Sequence, residues 1–169
     1  MNPKLLYGFI GVLLIGFAVL VVTSKQSETP RPGVAHADKG REHVEQKNYS
    51  ESEVPTSGPH ASPVAWGVYE TEQRDDQLIH NMEHGGIVVT YRPDTPESEL
   101  SQLKQLLAKP FYEPGFAPTK IVIAPRKTNK APIVLSSWQR SESLQTFNKQ
   151  TVITYVKRNL GKSPEPLAS

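Results

Sequence analysis

Three of the chain's five histidines stand near one another in sequence: His60 in Thr56-Ser57-Gly58-Pro59-His60, and His80 and His84 in Leu78-Ile79-His80-Asn81-Met82-Glu83-His84-Gly85-Gly86. A spacing of four puts His80 and His84 on one side of either a helix or a strand, and the conformation decides which neighbour joins them. On a strand Met82 would lie between the two imidazoles, a soft set that favours copper. On a helix Glu83 joins the His80 face and Met82 turns away. The helix separates the polar arc of His80, Glu83 and His84 from the apolar arc of Leu78, Ile79 and Met82, whereas the strand mixes polarity on both sides. Asp75 or Asp76 can cap the start, and Gly85 fits the left-handed position past the end. The expectation is a short helix with Met82 in the core. His60, His80, His84 and Glu83 are then the candidate metal ligands, a set suited to Zn(II) or Cu(II) with Glu83 as fourth ligand or as the group that orients the others.

Two enzyme readings of the same residues are weaker. His80-x-x-Glu83-His84 matches the inverzincin zinc-peptidase pattern, which needs a longer helix and a further carboxylate on another one. Ser57 near His60 lacks a Gly-x-Ser-x-Gly elbow, so the Ser-Gly-Pro run reads as a turn that places His60. The 169 residues contain no cysteine, which excludes disulfide scaffolds, thiolate metal sites and Cys nucleophiles. A net charge of +2 offers no concentrated basic face for nucleic acid.

The elements that must position these residues follow from the pattern along the chain. Val64–Glu70 and Ile87–Tyr91 read as strands of one sheet. Thr95 as cap and Pro96 as first residue open a helix with Leu100, Leu103, Leu106 and Leu107 on one side. Lys120–Ala124 and Ile133–Trp138 suggest a hairpin whose cationic tip (Arg126, Lys127, Lys130) is solvated. From Ser141 the positions Leu144, Phe147, Val152, Val156 and Leu160 suit a second long helix ended by Gly161. The segment from Tyr91 to Lys120 is long enough for a parallel crossover. The expected class is α+β, with a mixed sheet packed by two longer helices and one short His-bearing helix.

Ahead of this domain, Leu5–Val22 is an uninterrupted run of 18 residues without charge. It would span roughly 27 Å as a helix, enough for a thin bilayer. The run is longer than the usual signal-peptide core, and Ala35-His36-Ala37 lies too far beyond it to be a natural cleavage site. The expected organisation is therefore residues 1–4 in the cytoplasm, a single-pass anchor at 5–22, a flexible tether at 23–48 and an extracytoplasmic domain at 49–169. His36 and His43, in the tether, read as solvated.

The motifs around the histidines carry a resemblance. Pro55-Thr56-Ser57-Gly58-Pro59-His60, Gly67-Val68-Tyr69, Ile79 to Val88, Tyr91-Arg92-Pro93, Ser137-Trp138 and Pro164-Glu165-Pro166 follow in the same order in a bacterial family catalogued as domain of unknown function 3105. The resemblance covers about residues 42 to 167. It implies a single N-terminal anchor and one external domain, and it brings no activity, because the family has none assigned. Members of that family often carry Leu where this chain has Met82, which supports a core role for Met82.

The functional expectation is a membrane-anchored domain that binds copper or zinc for handling or sensing. The alternative is a metal-free domain that docks an envelope protein. A zinc hydrolase ranks below both.

Overall fold

The computed structural model describes residues 30–49, 55–108 and 115–168. Residues 1–4, the apolar run at 5–22 and the first part of the expected tether, 23–29, lie outside them. Among the described residues no helix is long and apolar enough to cross a membrane.

Ile87–Tyr91 (β3) is β-branched at its first four positions and buried at all five. A strand buried on both sides belongs in the middle of a sheet, and it is found there. The six strands run in the order β1-β6-β5-β3-β4-β2, with β1 at Val34–Ala35, β2 at Gly67–Val68, β4 at Ile121–Pro125, β5 at Ile133–Ser137 and β6 at Arg140–Leu144. β3 pairs parallel with β4, Val88 opposite Val122, and antiparallel with β5, Val89 opposite Leu135. The sheet is mixed, as expected, and α2 (Glu97–Leu107) lies in the chain between the two parallel strands.

Alternation along β3 and β4 feeds two separate cores. Ile87, Val89, Tyr91, Ile121 and Ile123 join the leucines of α2 and Val152, Tyr155 and Val156 of α3 (Lys149–Asn159). Val88, Val122 and Ala124 join Leu78, Ile79 and Met82 of α1 (Asp75–Glu83) together with Trp138. Helices thus cover both faces, because consecutive apolar residues on the central strands leave two faces to bury.

Five further expectations are corrected. β4 and β5 do not form a hairpin, since β3 lies between them. The hairpin is instead β5–β6, closed by Trp138 and Gln139 with Ser137 opposite Arg140. Gln139 takes the positive φ of 58° there without a glycine, so the usual turn signal is missing. The segment from Ser141 accordingly begins as strand, and α3 starts only where the Asn148 side chain accepts from the Thr151 amide at 2.9 Å. Of the first expected strand only Gly67–Val68 pairs with β4. Thr95 does not cap α2; its hydroxyl donates to the Pro132 carbonyl at 2.9 Å, and the helix begins at Glu97. Arg126 is not a solvated tip residue: it is buried, and its guanidinium donates to both Asp75 carboxylate oxygens at 3.0 and 2.8 Å.

The tether is the largest correction. From Arg31 onward the chain belongs to the same compact unit as the rest of the domain. β1 pairs antiparallel with β6, Val34 opposite Ser141. Arg31 donates to Asn159 at 2.9 Å, and His36 shares a hydrogen bond of 2.7 Å with Ser141. The His60 amide donates to the Glu42 carbonyl and the Val44 amide to the His60 carbonyl. Backbone and polar side-chain bonds pin this segment, so it leaves no apolar periodicity to read.

Candidate metal centre

The apolar arc of α1 is held against the sheet by Leu78, Ile79 and Met82, all nearly inaccessible. That anchoring fixes the rotation of the helix and turns His80 and Glu83 toward the loop that carries His60. Met82 is a core residue, as the periodicity requires. Past the helix end Gly85 takes φ +83°, where a side chain would be strained. The donors sit at the carbonyl end of α1, where the partial negative charge of the helix terminus favours a cation.

His60 is placed by a turn that only glycine permits. Gly58 has φ +125°, and a Cβ there would lie 2.5 Å from the Tyr49 hydroxyl. That hydroxyl donates to the Pro59 carbonyl at 2.7 Å. Ser57 accepts from the Lys39 amide at 3.0 Å, so the turn is tied to the segment that brings His43.

Four residues converge: His43, His60, His80 and Glu83 each offer one ligand atom, and all four atoms lie within 4.8 Å of one another, a group that could hold a metal ion. The His43, His60 and His80 rings are 4.7–4.9 Å apart, centre to centre. His60 and Glu83 are fully buried, while the His43 side chain is 59% exposed and opens the group to solvent.

The hydrogen bonds settle which nitrogens face inward. His60 Nδ1–H donates to the Gly58 carbonyl at 2.8 Å, and His80 Nδ1–H donates to the Ala61 carbonyl at 2.8 Å. A carbonyl accepts only, so both Nδ1 atoms carry hydrogen and both Nε2 atoms are left to the centre. This backbone orientation of the outer nitrogen is the arrangement that metal-ligating histidines use. His60 Nε2 lies 2.9 Å from Glu83 Oε2, a contact that needs one further proton on the pair. Glu83 Oε1 is buried with no hydrogen-bond partner among the described residues. Burial holds the His80 imidazole below its ordinary range against the opposing Ala61 carbonyl, and the neighbouring His84, His60 and His43 push it the same way. The neutral ring is the ligating form.

Of the four residues expected from sequence, His60, His80 and Glu83 come together here and His84 stands one step out. Its Nε2 is 3.1 Å from His80 Nε2 and 4.0 Å from Glu165 Oε2, and it groups with Glu83 and Glu165. His43 was missed. Its signal was its place inside the region of family resemblance, which the polar composition around it outweighed. A cavity of 360 Å³ lies elsewhere, lined by Trp66, Leu107, Pro118 and Ile121 among others and by none of these histidines.

No curated protein and no solved structure matches the chain. A family described as a protein of unknown function, DUF3105, matches residues 42–169, which include His43, His60, the whole of α1 and Glu165. That match covers most of the sequence; the chain is a member of the DUF3105 family.

Proposed function

We propose that the domain binds one transition-metal ion, zinc or copper, through His43, His60, His80 and Glu83, and handles or senses it without turning over a substrate. One observation carries this reading: the buried His60 Nε2 and Glu83 Oε2 meet at 2.9 Å, and the outer nitrogens of His60 and His80 are already committed to carbonyls. A positive species must sit between that imidazole and that carboxylate, either a proton or a metal. Three imidazoles and one carboxylate match the donor preference of Zn(II) and Cu(II). Metal entry then displaces the proton of the His60–Glu83 pair, so binding releases acid. The exposed His43 is the entry side.

The location is part of the proposal. The uncharged run at 5–22 anchors the chain in a membrane with residues 1–4 in the cytoplasm and the domain outside. Lys4 and the α-amino group before the run, against the mixed signs of Lys25, Glu28 and Arg31 after it, support that orientation.

The test uses the full-length protein in detergent, dialysed against zinc or copper and analysed for bound metal. Tight retention that falls by at least about a hundredfold in affinity in both His80→Ala and Glu83→Gln is expected. Retention no tighter than roughly micromolar, or retention unchanged in both variants, contradicts the proposal and leaves the metal-free docking domain.

A further inference from the structure

A second group of donors shares a residue with the first. Glu83, His84 and Glu165 each offer one ligand atom, and these atoms too lie within 4.8 Å of one another. Glu83 is the only residue common to both groups, and its two oxygens are not equivalent. Oε2 faces His60 at 2.9 Å and His43 at 3.7 Å. Oε1 is fully buried with no hydrogen-bond partner among the described residues. An ionised oxygen in that position costs free energy unless a cation or a donor meets it.

The third donor comes from the tail after α3, and the tail is fastened to the backbone of the site itself. The Glu165 amide donates to the Glu83 carbonyl at 3.1 Å, and the Gly161 amide donates to the Gly85 carbonyl at 2.8 Å. The Lys120 ammonium donates to the carbonyls of His84, at 3.0 Å, and of Pro166, at 3.1 Å, and also to that of Ala168. These bonds hold the Glu165 backbone beside α1 and leave its carboxylate 45% exposed, 4.0 Å from His84 Nε2. His84 Nε2 is in turn 3.1 Å from His80 Nε2. Because His80 Nδ1 holds its own hydrogen for Ala61, the hydrogen between the two Nε2 atoms belongs to His84.

We infer that Glu83 Oε1, His84 Nε2 and Glu165 form a second divalent-cation position, bridged to the first through the Glu83 carboxylate. The inference rests on the first site being a metal site. Its ligand class is the same, a borderline divalent ion that accepts imidazole and carboxylate. Carboxylate-bridged pairs of ions stand roughly 3.5–4 Å apart, a separation that one Glu can span. When His84 Nε2 takes the second ion its hydrogen moves to its own Nδ1, which leaves His80 Nε2 to the first ion. With one imidazole and a half-exposed carboxylate, the second position binds more weakly than the first.

Zinc titration of the full-length protein, read as bound metal per chain, separates the two claims. The expected result is two equivalents, the second at least about tenfold weaker, with Glu165→Gln and His84→Ala each losing the second and retaining the first. Copper(II) at two equivalents should give the exchange-coupled electron paramagnetic signal of a bridged pair in the wild type and an uncoupled signal in Glu165→Gln. One equivalent in the wild type that Glu165→Gln does not alter overturns the second position and leaves the first standing. Two equivalents undiminished in Glu165→Gln overturn it as well. No retained zinc at all overturns both.

Discussion

The two faces of the central sheet are built from the same strands and do different work. On one, Ile87, Val89, Ile121 and Ile123 meet the leucines of α2 and the Val152, Tyr155 and Val156 side of α3, an aliphatic layer with few polar atoms. On the other, Val88, Val122 and Ala124 support α1, and the buried groups beyond them include Asp76, His60, Asn81, Glu83 and Arg126. Without cysteines, the first face must supply most of the stability. The second uses a small apolar footing to hold polar groups that cost free energy to bury. The difference teaches that stability and metal chemistry should respond to different substitutions.

The largest separation is expected from Leu103→Ala. Leu103 is fully buried in the aliphatic layer, and its truncation should cost about 3 kcal/mol in denaturant unfolding while bound metal per chain stays the same. Zinc should act from the opposite face. At a hundredfold excess over its dissociation constant it should stabilise the wild type by about 2.7 kcal/mol, and Glu83→Gln should abolish that gain without weakening the metal-free fold. Arg126→Met comes next. It strands the Asp75 carboxylate behind the sheet, and because the Asp75 side chain is 18% exposed the loss should be about 2 kcal/mol, below the range for a fully buried pair.

A pH series sharpens the comparison further. Burial opposes ionisation of Asp76, but the Arg74 guanidinium and the Lys47 amide outweigh it and hold its carboxyl below the ordinary range. A carboxyl depressed in the folded state contributes stability above its unfolded pKa of about 4, and that contribution is lost as pH falls through the lower folded value. Wild-type urea midpoints should therefore drop more steeply below about pH 4 than those of Asp76→Asn. Equal slopes would remove Asp76 from the account. The smallest effect is expected at the α3 cap, where Asn148→Ala should cost about 1 kcal/mol with no change in metal retention.

The parts of this design that were legible in the sequence are those written in side-chain periodicity. β3 matches its β-branched run residue for residue, and α1 follows from the separation of Leu78, Ile79 and Met82 from His80, Glu83 and His84. What escaped is held by backbone or by long-range partners. β6 is polar, and Leu144 at its end with Phe147 beyond it mimics a helical spacing that only pairing with β5 overrules. The adjacency of β4 and β5 in sequence hides the insertion of β3 between them. Residues 31–49 looked like a linker because main-chain bonds, and not apolar side chains, fix them. His43 went unread for that reason, although it stands on the same donor group as His60.

Crystals of the protein grown with zinc, with anomalous differences measured at the zinc edge, test the centre most directly. The account predicts a peak about 2.0–2.2 Å from the inward Nε2 atoms of His60 and His80 and from the Glu83 carboxylate, with His43 turned toward it. A map with no peak there, with His60 still hydrogen-bonded to Glu83, would contradict it.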